Sequence, residues 1–460
     1  MTSIILLAAF GILNLFLGFL KSNKFVLPAV LFFLAIIFGV NLIDWNNTQT
    51  HFNMLTMDNF AVGFTGIMLL STLLILPFAN SYAIRPEAQL AEYTSLLLFS
   101  LVGAIMMVSY ENMLMLFIGI EIISISMYVL AGSDKQNLFS NEAAIKYFLM
   151  GAFATGILLF GIALIYGATG TFYVSEIGKV ALTADATLSP MLLMGLLLVL
   201  IGISFKVGAA PFHFWTPDVY EGTPTLFASF MSTIVKTAGF AAFYKLMNVS
   251  FAGIYDFWFP TVAGITVLTL VIGNIGAVVQ PSVKRMLAYS SISHAGYLLI
   301  ALAAFNERSE KAIFFYSLAY SVATIGAFGV LKLVSDARKD ETYGAFNGLA
   351  RTNPLLAFVM TVSMCSLAGI PLTGGFFGKF FIFSSALEQG MIWLIIVAVL
   401  MSAVGIYYYF KPVIAMYMNE PVGEQEKVPV DGTAKFVLIV TAILTIILGI
   451  LPGLVSDLNI

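Results

Sequence analysis

The chain has 460 residues and a formal net charge of -3, with 60% hydrophobic and only 10% charged residues, whereas a soluble globular chain carries roughly a quarter charged residues. Too few polar groups remain to cover a water-soluble surface, and without a basic excess nothing points to nucleic acid as a partner. One cysteine, Cys365, and three histidines, His51, His213 and His294, exclude an iron-sulfur cluster, a cysteine-based zinc site and an internal disulfide, and argue against a histidine metal site.

The first apolar run, Ile4 to Leu20, has no basic region before it and no small-residue cleavage pattern after it, so it reads as a membrane span rather than a signal peptide. Apolar windows near 20 residues then place helices at about 3-20, 25-43, 59-79, 91-109, 112-131, 142-167, 189-215, 225-247, 256-280, 285-304, 311-334, 354-386, 390-417 and 434-453. The fold class is an all-α membrane protein of about fourteen transmembrane helices. An even number puts both termini on one side. With both outside, the inner loops and helix ends hold Lys21, Lys24, Arg85, Lys135, Lys146, Lys284, Arg285, Arg338, Lys339, Arg351, Lys411, Lys427 and Lys435, and the outer ones only Lys179, Lys245, Arg308 and Lys311. The asymmetry predicts a multi-pass protein with both termini outside and the loop from Ser335 to Pro354 inside, which for a bacterial inner membrane are the periplasm and the cytoplasm. Lys332, near an inner helix end, can snorkel.

Four charges remain inside spans: Glu121 in LFIGIEIISISMYVL, Lys206 in LIGISFKVGAAPF, Lys236 in FMSTIVKTAGFAAF and Lys379 in GGFFGKFFIF. One such charge at a helix centre costs roughly 2.5 to 3.5 kcal/mol, so four unpaired ones would cost on the order of 10 kcal/mol. They must face the bundle interior and pair or share water. A structural ion pair gluing helices accounts for any one of them, but one glutamate cannot neutralise three lysines. A contact at 4 Å is worth about 4 kcal/mol at an effective dielectric near 20, so making or breaking a pair shifts a proton affinity by about three pH units. That is enough to load and unload a proton.

The spans ISFKVGAAPFHFWTP and SLAGIPLTGGFFGKF are interrupted around Pro211 and Pro371. Each proline removes an amide donor and frees the carbonyl four residues earlier, at Val207 and Leu367, which lipid tolerates only beside water or protein. A packing kink would also explain either proline alone; the lysine in each span tips the reading toward a transport site. The two are the seventh and twelfth spans, five apart and so oppositely directed. Helices 4-8 and 9-13 would form inverted repeats, each with one broken helix. This divides the chain into a three-helix segment (1-90), a first repeat (91-247), a second (248-417), and a loop with the last helix (418-460). His213, just past Pro211, stands where protons could enter, and His294 lies among serines able to hold water; for each, a packed polar group is the bland alternative. Asp218 and Glu221 share the loop of His213 and can be simply solvated. The phenylalanines and methionines read as lipid-facing and packing surface.

The segments FKVGAAPFHFWTPDVYEGTPT, VKRMLAYSSISHAGYLL and SLAGIPLTGGFFGKFF resemble the antiporter-like membrane subunits of the proton-pumping NADH:quinone oxidoreductase, respiratory complex I, and within them the subunit N branch. The likeness runs from about residue 90 to 390; WTPDVYEG and SSISHAGY discriminate best, and Lys379 favours N over the M branch. The chain departs from the usual pattern at Thr223, Leu226 and Leu372, none of them ionisable. The resemblance implies that Glu121, Lys206, Lys236 and Lys379 carry protons, with His213 and His294 as relay candidates, driven by quinone reduction elsewhere in the complex. It also implies no cofactor in this chain, with NADH, FMN, the iron-sulfur clusters and quinone bound by other subunits, and neighbouring complex I membrane subunits, the lipid bilayer and protons as partners. The alternatives are an Mrp-type sodium/proton antiporter subunit, a membrane subunit of a ferredoxin-linked or hydrogenase relative, and a scaffold whose charges only glue helices.

Overall fold

The computed structural model describes residues 1-19, 23-80, 89-183, 189-420 and 427-460. Lys21 and Arg85, counted above toward the inner side, lie outside the described residues. The helices are α1 (Thr2–Leu17), α2 (Val26–Ile43), α3 (Asn59–Ile75), α4 (Leu90–Ser109), α5 (Met113–Ala131), α6 (Leu138–Thr169), α7 (Val174–Thr183), α8 (Pro190–Val207), α9 (Trp215–Gly222), α10 (Thr225–Ser250), α11 (Tyr255–Val278), α12 (Val283–Ala304), α13 (Glu307–Arg338), α14 (Pro354–Ala368), α15 (Gly374–Glu388), α16 (Ile392–Tyr417) and α17 (Gly432–Ile450). Among the described residues, twelve are long and apolar enough to cross a membrane; the shorter α1 and the broken pair α14/α15 complete the expected fourteen. Two elements were not foreseen: the hairpin of β1 (Gln49–His51) and β2 (Leu55–Met57), and α7, too short and polar to register as a span.

Side-chain caps fix where several helices start: Asp58 accepts from the Ala61 amide, Asn112 from Leu114, Asn137 from Phe139 and Asp431 from Ala434. Asn306 and Ser309 close a reciprocal box at the start of α13. In the middle of the bundle α10 is buried up to its last turn, and the central stretches of α12 and α13 are almost wholly buried. By contrast α6 turns Phe139, Phe148, Phe153 and Phe160 outward, the apolar face that lipid or a neighbouring subunit requires.

The connections sort to two ends. At one, the chain before α4 (Gln89), the α5–α6 turn (133-139), the α9–α10 turn (221-225), Lys284 and residues 335-341 line a cleft of about 930 Å³. At the other, the hairpin meets the α4–α5 turn (Glu111 N–H to the Met54 carbonyl, 2.8 Å), the start of α7 (Val174 N–H to the Glu111 carbonyl, 3.1 Å) and the end of α10 (Ser250 Oγ to the Val174 carbonyl, 3.0 Å). Both termini belong to the hairpin end. The far end of α1 lies against Ala91, α17 starts where Asp431 accepts from Asn80 at 2.7 Å, and the Asn459 carbonyl accepts from Asn59 at 2.8 Å. This is the alternation that fourteen spans demand.

Candidate functional site

Both interrupted spans end in the same way, and not at the proline. In α8 the Gly208 amide bonds the Phe205 carbonyl and the Ala209 amide bonds the Ser204 carbonyl; in α14 Gly369 bonds Ser366 and Ile370 bonds Cys365. This is a Schellman cap, which needs a left-handed residue just past the helix; Gly208 and Gly369 supply it at φ +72° and +86°. Pro211 and Pro371 follow three and two residues later and keep the helix from resuming. The sequence reading put the breaks at the prolines, whereas the glycines make them. In the second break the Ala368 carbonyl, next to that of Leu367, has a partner: Lys379, from α15, donates to it at 2.8 Å.

Lys206, Lys236 and Lys379 are all buried. Among the described residues none has a carboxylate within 4.0 Å. Each ammonium group is held by neutral oxygens. Lys206, in the last turn of α8, donates to Ser124 Oγ of α5 at 2.8 Å. Glu121 stands one turn before Ser124 on α5, and its Oε1 is buried without a partner. The expected Glu121–Lys206 contact is therefore not closed in this conformation; Ser124 holds the lysine beside it. Lys236 follows a π-helical segment (Met231–Val235), a widened turn frequent at functional sites, and donates to the carbonyl and hydroxyl of Ser291 while lying 5.6 Å from the centre of the Tyr320 ring. Lys379 also donates to Ser402 Oγ at 2.8 Å and sits 4.6 Å from the Tyr297 ring centre.

His294 was expected among serines, but its ring meets tyrosines: Nδ1 is 2.6 Å from Tyr316 Oη and Nε2 is 2.9 Å from Tyr409 Oη. The serines hold other groups, Ser290 bonding Tyr409 and Ser291 bonding Lys236. Ser232 joins Tyr320 (2.6 Å) to Ser291 (3.3 Å). These tyrosines are the residues that sequence reasoning missed. They sit at ordinary helical spacing in an apolar chain, and only the helix packing shows their hydroxyls converging. His213 is buried, with Nδ1 unpartnered and its ring against Phe214; no hydrogen bond links it to the three lysines.

Asp218 and Glu221, which the sequence allowed to be merely solvated, are ion-paired. Asp218 bridges Lys146 (2.6 Å) and Arg285 (3.0 Å), and Arg285 also holds Glu221. Burial works to raise the Asp218 carboxyl, but the hydrogen bonds and charges of Lys146 and Arg285 outweigh it and hold the group below its usual range. The network pins the short α9 between α6 and α12. Among the described residues, no cluster of three or more His, Cys, Asp or Glu could hold a metal ion.

Residues 111–405 match the family described as NADH:quinone oxidoreductase/Mrp antiporter, transmembrane. NADH-quinone oxidoreductase subunit N of Cytophaga hutchinsonii is 42% identical over 461 residues, covering 100% of this chain and 99% of that protein. Among solved structures, a chain of respiratory complex I from Thermus thermophilus superposes with a TM-score of 0.85 at 33% identity, covering 99% of this chain and 98% of that one. A chain of the Mrp complex from a Dietzia species reaches a TM-score of 0.87 at 21% identity, covering 99% and 96%, which speaks for a shared fold alone.

Proposed function

The chain belongs to the family of NADH-quinone oxidoreductase subunit N, and from that premise we propose that Glu121, Lys206, Lys236, His294 and Lys379 carry the proton through it. It is a proton-translocating membrane subunit of that translocase complex, built to pack against other membrane-arm subunits. The observation that carries the residue assignment is that three lysines lie buried in one bundle, none paired with a carboxylate among the described residues. A lysine kept among neutral oxygens in low dielectric gives up its proton readily when its surroundings change. Glu121, one helical turn from the serine that holds Lys206, supplies that change: closing the pair keeps the proton on, and opening it lets the proton pass toward Lys236 and then by way of His294 to Lys379. His213, with its free ring nitrogen by the first break, serves entry.

Helices α4, α5, α6, α8/α9 and α10 (91-247) and α11, α12, α13, α14/α15 and α16 (248-417) are the two inverted repeats in this reading, supported by the shared glycine cap of their fourth members. The flavin, iron-sulfur clusters, NADH and quinone belong to other subunits. The membrane is a bacterial inner membrane, with the cleft end cytoplasmic and both termini periplasmic; a Lys339→Cys variant labelled readily from outside would reverse that orientation.

NADH-driven proton uptake by membrane vesicles, with assembly of the complex checked, tests the site. Lys206→Ala and Lys379→Ala should each cut uptake by about 100-fold or more, the scale of losing a positioned proton-transfer group. Glu121→Asp should be milder than Glu121→Ala. Uptake at the wild-type rate in assembled Lys206→Ala and Lys379→Ala complexes would make the lysines structural.

A further inference from the structure

His294 is gripped at both ring nitrogens by phenols, and one phenol continues the chain: Tyr409 Oη lies 2.9 Å from Nε2 and 2.5 Å from Ser290 Oγ, while Tyr316 Oη lies 2.6 Å from Nδ1. All four side chains are buried. A neutral imidazole has one donor and one acceptor nitrogen, so at any moment one tyrosine donates to the ring and the other accepts from it. The two ends of this chain lie near the two lysines. Ser290 precedes Ser291, which holds Lys236. Tyr316 packs against Gly378, whose Cβ position is 2.8 Å from the Tyr316 ring, next to Lys379.

We propose that Tyr409 and Tyr316 are themselves proton carriers, forming with His294 a neutral relay that passes one proton across the imidazole for each exchange of its tautomer. The proposal rests on the proton-transfer reading above. The ring starts protonated on Nδ1, with Tyr409 donating to Nε2. A proton arriving on Ser290 Oγ releases that hydroxyl's own proton to Tyr409 Oη, Tyr409 gives its proton to Nε2, Nδ1 gives its proton to Tyr316 Oη, and Tyr316 releases its proton toward Lys379. Four O–H or N–H bonds break and four form; one proton enters and one leaves. No imidazolium or phenolate needs to persist in the apolar core, where an isolated charge is costly. The ring is left as its other tautomer and must revert before a second proton can follow, which meters the relay to single protons. Tyr409 is the one link between His294 and Ser290 in this chain, so its hydroxyl is indispensable while its ring is not.

The test is NADH-driven proton uptake by vesicles carrying the assembled complex. Tyr409→Phe keeps the ring and deletes the link, and uptake should fall by about 100-fold or more, the scale of losing a positioned proton-transfer group. Tyr255→Phe, at the start of α11, removes a hydroxyl that donates to the Ala303 carbonyl at 2.7 Å and bonds no member of the relay, and should keep wild-type uptake. Wild-type uptake in Tyr409→Phe, or equal damage from Tyr255→Phe, overturns the relay. Should Tyr409→Phe fail to assemble, replacing Tyr409 by 3,5-difluorotyrosine preserves shape and makes the phenol more acidic; the uptake rate and its ratio between H2O and D2O should both change, and no change in either overturns the proposal. If Lys379→Ala fails to pump while Tyr409→Phe pumps normally, the relay is wrong and the proton-transfer reading stands; if Lys379→Ala pumps normally, that reading falls first.

Discussion

The two broken spans end in the same cap, yet their lysines stand on opposite sides of it. Lys206 is in the last turn before Gly208 and points away from its own break, to Ser124 of α5. Lys379 lies in the second turn after the other break and reaches back across it to the Ala368 carbonyl. A glycine cap exposes carbonyls in either case; what differs is whether the lysine uses them. The first lysine has a carboxylate one helical turn from its holder, the group that the proposed mechanism uses to switch it. The second is held by its own break and by Ser402, so its environment changes only if the break itself changes.

The sharpest way to break this contrast is to strain both caps equally. An L-residue forced into the left-handed region costs about 1 to 2 kcal/mol, and Gly208→Ala and Gly369→Ala pay it alike. Their added methyls meet different neighbours, however: at Gly208 the Thr216 hydroxyl, 2.9 Å away, and at Gly369 the Lys379 side chain, with Cδ at 2.8 Å and Nζ at 3.2 Å. Gly369→Ala therefore pushes the lysine itself off its carbonyl, and displacing a reacting group by about 1 Å can cost about 100-fold in rate. Proton uptake should fall far more in Gly369→Ala than in Gly208→Ala at similar melting temperatures. Equal loss in both would mean that the caps matter only as folding elements.

A smaller effect separates the holders. Ser124→Ala and Ser402→Ala each remove a hydrogen bond to a charged or chargeable amine, worth about 1.5 to 3 kcal/mol. Lys379 keeps the Ala368 carbonyl, so Ser402→Ala should slow uptake only slightly. Lys206 loses its serine acceptor and should fall onto Glu121, locking the pair and slowing uptake several-fold; the double variant with Glu121→Gln should recover part of the rate, because no carboxylate is then left to lock onto. Larger damage from Ser402→Ala than from Ser124→Ala would reverse the assignment of which half is switched.

The span count and the four intramembrane charges were legible because lipid punishes polar groups so strongly that any survivor stands out in an apolar run. The breaks were legible as regions but not as mechanisms: Pro211 and Pro371 catch the eye, while Gly208 and Gly369 are two glycines among 38 until their φ values are known. The Tyr316–His294–Tyr409 contacts join residues 22 and 115 positions apart, a convergence that helix packing creates and no local pattern announces. The hairpin and α7 were missed for the opposite reason, since segments of 3 and 10 residues fall below the length at which an apolar window speaks.

The smallest effect belongs to the ion-pair network that pins α9 at the end of the first broken span; among the described residues, the second span ends on a single pair, Arg308 to Glu388 at 2.6 Å. Asp218 is held below its usual range, so its contribution to stability is fully present above the unfolded carboxyl value near 3.9 and is lost as pH falls through the lower folded value. Its side chain is 36% exposed, and solvent screens such pairs to about 1 kcal/mol or less. Asp218→Asn should accordingly lower the melting temperature of the detergent-solubilised complex by a degree or two at pH 7, and the gap should close as the buffer is taken below about pH 4. Because α9 carries no proton-binding lysine, uptake should change little. A large fall in uptake at unchanged melting temperature would instead give Asp218 a place on the proton path, beside His213 at the first break, and would make the two broken spans differ in their route of entry as well as in what holds their lysines.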